Sequence, residues 1–298
     1  MKFGFLLVAM ILMLHSTAVA QDVSKKRDRQ PVEGPKPDRK VVYKQVGDKE
    51  LSLFIYDPAA KPEATTRSAI VFYFGGGWKG GTPNQFSWHC RHLADLGMTA
   101  IAVDYRVHSR DRANVTDCVA DAQDAMLFVR GHANEWRINP QHIAAAGGSA
   151  GGHLAAAVAT LAYRGTQPNI RAEQYRPNAL VLFNPAAVLA RLKDRGEPTR
   201  LGKELLERLG DKPEALSPYH HLTQELPPTL ILHGKSDSTV PYEAVEAFRD
   251  RATELGAQVN LIGYADMQHG FFNHGRERYT ETRDEMVKFL KKHDFLSQ

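Results

Sequence analysis

The stretch Ala144-Ala145-Ala146-Gly147-Gly148-Ser149-Ala150-Gly151-Gly152 limits the fold more than any other part of this chain. A short apolar run that reads as a strand leads into it, and an alanine-rich helical run from Leu154 leaves it. Between them Gly147–Gly151 spell G-x-S-x-G. A chain that reverses so tightly needs small residues two positions before and after the serine, or side chains would clash. Such a strained strand-to-helix turn lifts the serine hydroxyl out at the top of a sheet, as a nucleophile elbow does. Ser149 is therefore the candidate nucleophile, and the remaining chain must supply a base, an acid and oxyanion donors.

A serine hydroxyl is a poor nucleophile at neutral pH without a base in hydrogen-bond reach and an acid orienting that base. In an elbow fold the acid follows the serine and the histidine follows the acid. After the strand-like run Thr229–His233, Asp237 falls on the loop Gly234–Pro241. After the run Val259–Tyr264, His269 falls on the loop Gln268-His269-Gly270-Phe271. Both loops leave the C-terminal ends of strands, where open α/β sheets build their sites. The competitors fit less well. His153 rides on the serine's own helix, His233 ends a buried strand, and His274 lies five residues beyond His269. Asp266 shares the histidine's loop, and Glu225 lies before the Thr229 strand. For the oxyanion, Tyr73-Phe74-Gly75-Gly76-Gly77-Trp78 follows the third strand. The N–H groups of Gly75 and Gly76 are expected to act with that of Ala150, at a helix N-terminus.

Eight strand-like runs occur, at Val41–Val46, Leu51–Tyr56, Ala69–Phe74, Thr99–Asp104, His142–Ala146, Leu180–Phe183, Thr229–His233 and Val259–Tyr264. The middle ones are continuous apolar runs, as parallel strands buried on both faces require. Helical spacing links Phe86, Cys90 and Leu93, then Val115 to Val129, Val245 to Leu255, and Tyr279 to Leu290. Two opening strands followed by strand–helix alternation predict an α/β fold with a mostly parallel eight-stranded sheet and helices on both sides. The long connection Asn184–Pro228, with a short amphipathic helix at Arg200–Leu209, is expected to cover the site as a lid.

Lys2, the apolar run Phe3–Leu14 and the small-x-small signal Ala18-Val19-Ala20 read as an export leader over residues 1–20, cut after Ala20. The run is too short to span a bilayer comfortably, so stable membrane insertion is not expected. The mature chain would then be secreted or periplasmic. Residues 21–40 hold seven Lys/Arg, four Asp/Glu and three prolines against two valines, which predicts a disordered lead-in before one domain over 41–298. The net charge of +4 is small and dispersed, so no nucleic-acid partner is expected. Export would permit a disulfide between the two cysteines, Cys90 and Cys118, each near the start of a helix flanking the fourth strand. Spacing alone leaves the bridged and free states open.

YFGGGW, DYR (Asp104–Arg106), GGSAGG, HGxxDxxVP and the final QHGF together resemble the hormone-sensitive-lipase-like α/β-hydrolases. Within them the chain is most similar to secreted acetyl and feruloyl esterases acting on polysaccharides. The resemblance runs from about Val41 to the C-terminus. It implies the α/β-hydrolase fold and a serine carboxylesterase working through Ser149, His269 and Asp237, with a small ester or acylated carbohydrate as substrate and no cofactor or metal. Short-chain acyl groups, acetyl above all, are expected. A serine peptidase of the same fold and a non-catalytic binding module are the alternatives. One departure stands out: Phe74 occupies the place where the family's loop usually opens with a histidine that steadies it. Trp78, Phe271 and Phe272, with the 184–228 segment, are candidates for the pocket wall, with core positions as the competing reading.

Overall fold

The computed structural model describes residues 1, 33–59, 66–192 and 203–297. All eight expected strands form: β1 (Arg39–Val46), β2 (Lys49–Tyr56), β3 (Arg67–Tyr73), β4 (Thr99–Val103), β5 (Ile138–Gly148), β6 (Ala179–Phe183), β7 (Thr229–Gly234) and β8 (Val259–Tyr264). They make one sheet in the order β1-β2-β4-β3-β5-β6-β7-β8. The hairpin β1–β2 is antiparallel, and β2 pairs antiparallel with β4. From β4 to β8 every pairing is parallel. The apolar runs β4, β6 and β7 are buried at every position.

The helices are α1 (Ser87–Asp95), the single turn α2 (His108–Asp111), α3 (Val115–Gly131), α4 (Ala150–Thr160), the short α5 (Lys203–Glu207) and α6 (Pro213–Leu216), α7 (Tyr242–Glu254) and α8 (Tyr279–Lys292). Helix α3 starts where Asn114 and Asp117 form a capping box, the Asn114 N–H donating to Asp117 Oδ2 at 2.9 Å. Such reciprocal bonds satisfy donors that the first turn leaves open. Helix α4 is buried at all eleven positions. Its alanines share a layer with Ala145 of β5, Ala144 and Ala146 facing the other side of the sheet, and Gly151 sits so near the sheet that a Cβ there would strike Tyr73 O.

The apolar core lies in two layers, one on each face of the sheet. One holds Cys118 with Val115, Leu154 and Val158; the other holds Cys90 with Phe86, Phe183 and Phe272. This separation corrects the disulfide option. The helices carrying Cys90 and Cys118 pack in different layers, and both cysteines are buried and free.

The expected lead-in also needs correction where it falls within the described residues. Tyr56 donates its hydroxyl to Pro35 O at 3.1 Å, the Asp38 N–H donates to Ile55 O at 2.9 Å, and Arg91 bonds Asp38 Oδ2 at 2.8 Å. Prolines and charges there are absorbed by pairing rather than by core burial, so Gly34–Lys40 belong with the domain. The expected leader, residues 1–20, lies outside the described residues apart from Met1. No helix among the described residues is long and apolar enough to cross a membrane.

Candidate active site

The elbow is built as its glycines require. Ser149 has φ 54° and ψ −119°, a region that costs a side-chain-bearing residue about 1–3 kcal/mol and persists only where the surroundings enforce it. A Cβ on Gly147 would strike Gly151 O, and one on Gly151 would strike the carbonyl oxygens of Tyr73 and Phe74. The serine N–H donates to Phe183 O at 2.8 Å, and its carbonyl accepts the His153 N–H at 3.0 Å. Sheet and helix thus hold the strained residue from both sides.

The loops after β7 and β8 bring an acid and a base to it. His269 Nε2 lies 2.9 Å from Ser149 Oγ, and His269 Nδ1 lies 2.7 Å from Asp237 Oδ2. Asp237 Oδ1 accepts the N–H groups of Thr239 at 2.8 Å and Val240 at 3.0 Å, and Oδ2 accepts Asn184 Nδ2 at 3.1 Å. Burial alone would push the Asp237 carboxyl up, but the bonds from His269, Val240 and Thr239 outweigh it and hold the group below the usual carboxylate range. The acid therefore stays ionised beside an imidazole that must carry positive charge during acyl transfer. The side chain of His269 is 25% exposed and that of Asp237 fully buried, so the base meets solvent and the acid does not.

Asn184 has no obvious chemical role in the sequence, yet it ties these two loops together. Its φ is 43°, its side-chain amide holds Asp237, and its Oδ1 accepts the N–H of Gly270 at 3.3 Å. Among the competitors, His153 is wholly buried, accepting Trp78 Nε1–H at 3.3 Å and donating to Leu216 O at 2.7 Å. His233 donates to Val240 O at 2.8 Å. His274 stacks on Trp88 with centroids 4.2 Å apart. Glu225 pairs with Arg176. None of these four side chains bonds the Ser149 hydroxyl, whose partner is His269.

The glycine loop lies directly against the serine: a Cβ on Gly75 would come within 3.3 Å of Ser149 Cβ. One expected donor is nevertheless taken. The Gly75 N–H donates to Gln85 Oε1 at 2.6 Å, because the 3-10 turn Pro83–Phe86 carries that side chain back over the loop. Gly76 (φ 119°) and Ala150 keep N–H groups with no protein partner among the described residues. Phe74 stacks on Tyr105 with centroids 4.0 Å apart, and the Tyr105 hydroxyl donates to Phe74 O at 2.5 Å. An aromatic pair thus steadies the loop at the position where the resembled family usually carries a histidine.

The aromatic pocket candidates are corrected as well. Phe272 is buried under Gly148 between Phe86 and Phe183, Phe271 packs on Tyr264, and Trp78 is enclosed beside His153. All three support the site from within the core. The described parts of the 184–228 segment are stitched to helices near the serine. The Ala186 N–H bonds Ser149 O at 3.3 Å, the Val115 N–H bonds Arg208 O at 2.9 Å, and Lys79 of the glycine loop pairs with Glu204 of α5 at 2.8 Å. Residues 200–202 of the helix expected at Arg200–Leu209 lie outside the described residues; α5 forms over Lys203–Glu207.

A mostly parallel sheet, an elbow serine after β5, and an acid and a histidine on the loops after β7 and β8 define an α/β-hydrolase of the hormone-sensitive-lipase-like esterase type. The BD-FAE family model matches residues 53–251, and the dienelactone hydrolase family model matches 213–298. The chain belongs to the BD-FAE family. It is 33% identical over 243 residues to the probable carboxylic ester hydrolase LipM of Mycobacterium tuberculosis, covering 76% of this chain and 55% of that protein. It is 29% identical over 226 residues to an acetylxylan esterase of Xylanibacter ruminicola, covering 70% of this chain and 42% of that protein. The chain thus spans about half the length of these curated relatives. Among solved structures, Thermogutta terrifontis esterase 2 phosphonylated by sarin shares 43% identity at a TM-score of 0.85, covering 91% of this chain and 99% of that one. The same esterase has been solved with propionate bound.

Proposed function

We propose that this protein is a serine carboxylesterase that cleaves short-chain acyl esters, acetyl groups on carbohydrate above all, through Ser149, His269 and Asp237. The unbroken hydrogen-bonded line from Ser149 Oγ through both nitrogens of His269 to Asp237 Oδ2 carries this reading. In the proposed cycle His269 Nε2 takes the serine proton as Oγ forms a bond to the ester carbonyl carbon. The resulting oxyanion is held by the N–H groups of Gly76 and Ala150, and Asp237 stabilises the imidazolium. His269 returns the proton to the leaving alcohol oxygen as the C–O bond breaks. A water then attacks the acyl-enzyme, losing a proton to His269, and the acid leaves as Oγ regains that proton.

The propionate bound to the Thermogutta esterase and the name of the acetylxylan esterase support the short acyl chain and the sugar alcohol, respectively. The leader sequence supports export to the periplasm or beyond, and the small dispersed charge argues for a substrate other than nucleic acid. Segment 184–228 would act as a lid on the acyl site.

The test is hydrolysis of p-nitrophenyl acetate against the octanoate, with release of acetate from acetylated xylan as the carbohydrate arm. Acetate should be preferred, and Ser149→Ala should abolish both reactions. An unmodified protein inactive on every ester would overturn the proposal, and cleavage of peptides but not esters would redirect it to a peptidase.

A further inference from the structure

A chain of side-chain amides joins the glycine loop to the histidine loop from outside the reacting groups. The Gly75 N–H donates to Gln85 Oε1 at 2.6 Å, and Gln85 Nε2 donates to Asn273 Oδ1 at 2.8 Å. Asn273 Nδ2 then donates to Gly270 O at 2.9 Å, and the Gly270 N–H donates to Asn184 Oδ1 at 3.3 Å. Asn184 Nδ2 closes on Asp237 Oδ2 at 3.1 Å. Gln85 and Asn273 are 188 residues apart, and no apolar packing is needed to explain their contact.

Direction matters more than number here. An amide has one accepting and one donating end. A backbone N–H at Gly75 fixes which end of Gln85 faces the loop, and the carbonyl of Gly270 fixes which end of Asn273 faces the histidine loop. Each remaining end then meets its complement. Only one orientation of both side chains satisfies every bond, so the link is directional and not merely adhesive. It also fixes the Phe74–Gly75 peptide, whose carbonyl accepts the Tyr105 hydroxyl at its other end, one plane before the peptide that carries the Gly76 N–H.

We propose that Gln85 and Asn273 are positioning residues for the ester-cleaving reaction. They hold the oxyanion loop in register with Ser149 and His269 by anchoring the Phe74–Gly75 peptide, next to the one that carries the Gly76 N–H. The inference rests on the esterase reading above. Removing an oxyanion donor outright costs about 10²–10³ in rate. Releasing a loop so that its donor is misaimed part of the time should cost about tenfold to a hundredfold, all in the chemical step.

The test compares Gln85→Ala, Gln85→Glu, Asn273→Ala and the double alanine variant on p-nitrophenyl acetate, with thermal melts alongside. Gln85→Ala should lower kcat about tenfold or more and move KM less than about twofold. The acid limb of its pH profile should not move, because Asp237 and His269 keep their bonds. Gln85→Glu still accepts from Gly75 but sets a carboxylate oxygen against Asn273 Oδ1, so its kcat should fall between the two. The double variant should be no slower than the worse single one, since both break the same link. Multiplying losses in the double variant, a loss in KM with kcat intact, or an acid limb that shifts with the rate would overturn the proposal. So would a fully active Gln85→Ala. An unmodified protein without esterase activity would instead sink the esterase reading and this inference with it, whereas an active one that needs Ser149 isolates the failure to the amide link.

Discussion

Acidification from pH 8 to pH 5 should cost this protein about 4 kcal/mol of folding stability through two buried histidines, neither of which is the base of the ester chemistry. His89 sits on α1 among the rings of Phe72, Phe86, Phe183 and Tyr279, with neither ring nitrogen bonded. Burial, followed by the nearby His274, His92 and Arg283, lowers it from 6.5 to about 3. His153 is lowered from 6.5 to about 4 by burial, against a smaller opposing effect of its bond to Leu216 O. Both rings stay neutral in the fold and take a proton near 6.5 when unfolded. The unfolded chain therefore binds more protons than the folded one from about pH 6.5 down to the folded values. Stability is fully present above that window and is lost as pH falls through it. Each histidine contributes about 1.4 kcal/mol per pH unit, so roughly 1.5 units of acidification to pH 5 give about 2 kcal/mol apiece. His233, lowered chiefly by burial, acts in the same direction. Urea unfolding at pH 8, 7, 6 and 5 would measure the slope. His89→Phe fits an aromatic slot that offers the imidazole no partner, so it should stabilise the protein and remove about 1.4 kcal/mol per unit from the slope below pH 6. An unchanged slope in that variant, or stability flat from pH 8 to 5, would refute the reasoning.

Other expectations are simpler to check. Asp237→Asn should lower kcat by about 10⁴ while leaving the fold intact, because the histidine loses its orienting anion; a loss below tenfold would remove Asp237 from the acid role. Asn184→Ala withdraws one of the bonds to Asp237 and should lower kcat by roughly tenfold with KM nearly unchanged, about the worth of one hydrogen bond to a charge. Gly151→Ala would drive a methyl into the carbonyl oxygens of Tyr73 and Phe74; it should cost more than about 3 kcal/mol in a denaturant melt or prevent folding. Mass measurement with and without reductant should show no change, and denatured protein should titrate two thiols, as buried free cysteines require.

The parts of the fold legible in the sequence were those with a period or a chain-order rule. Strands buried on both faces announce themselves as apolar runs, which is why β4, β6 and β7 were placed within a residue of their ends. Asp237 and His269 could be picked out because each follows a strand end in the order that an elbow serine demands. The misreadings have a common physical origin: helical spacing shows that a residue faces inward but not which side of the sheet it faces. Spacing therefore leaves the pairing of Cys90 and Cys118 open, and only the fold shows that they belong to different layers. Phe272 resembled a pocket wall because nothing in its neighbourhood reveals that Gly148 makes room for its ring. Asn184, Gln85 and Asn273 carried no signal at all. Amides in loops are ordinary, and their partners lie 53, 10 and 188 residues away.

The distance between Ser149 and His269 along the chain, 120 residues, has a consequence for timing. The strained serine turn, with β3 and β6 on either side, can be complete while the last third of the polypeptide is still being synthesised. At that stage the hydroxyl has no imidazole to take its proton, and Gln85 has no Asn273 to hold. Reactivity would then switch on in a single late event, the docking of the segment after β8. An incomplete chain would already present its nucleophile and yet be inert toward the esters around it.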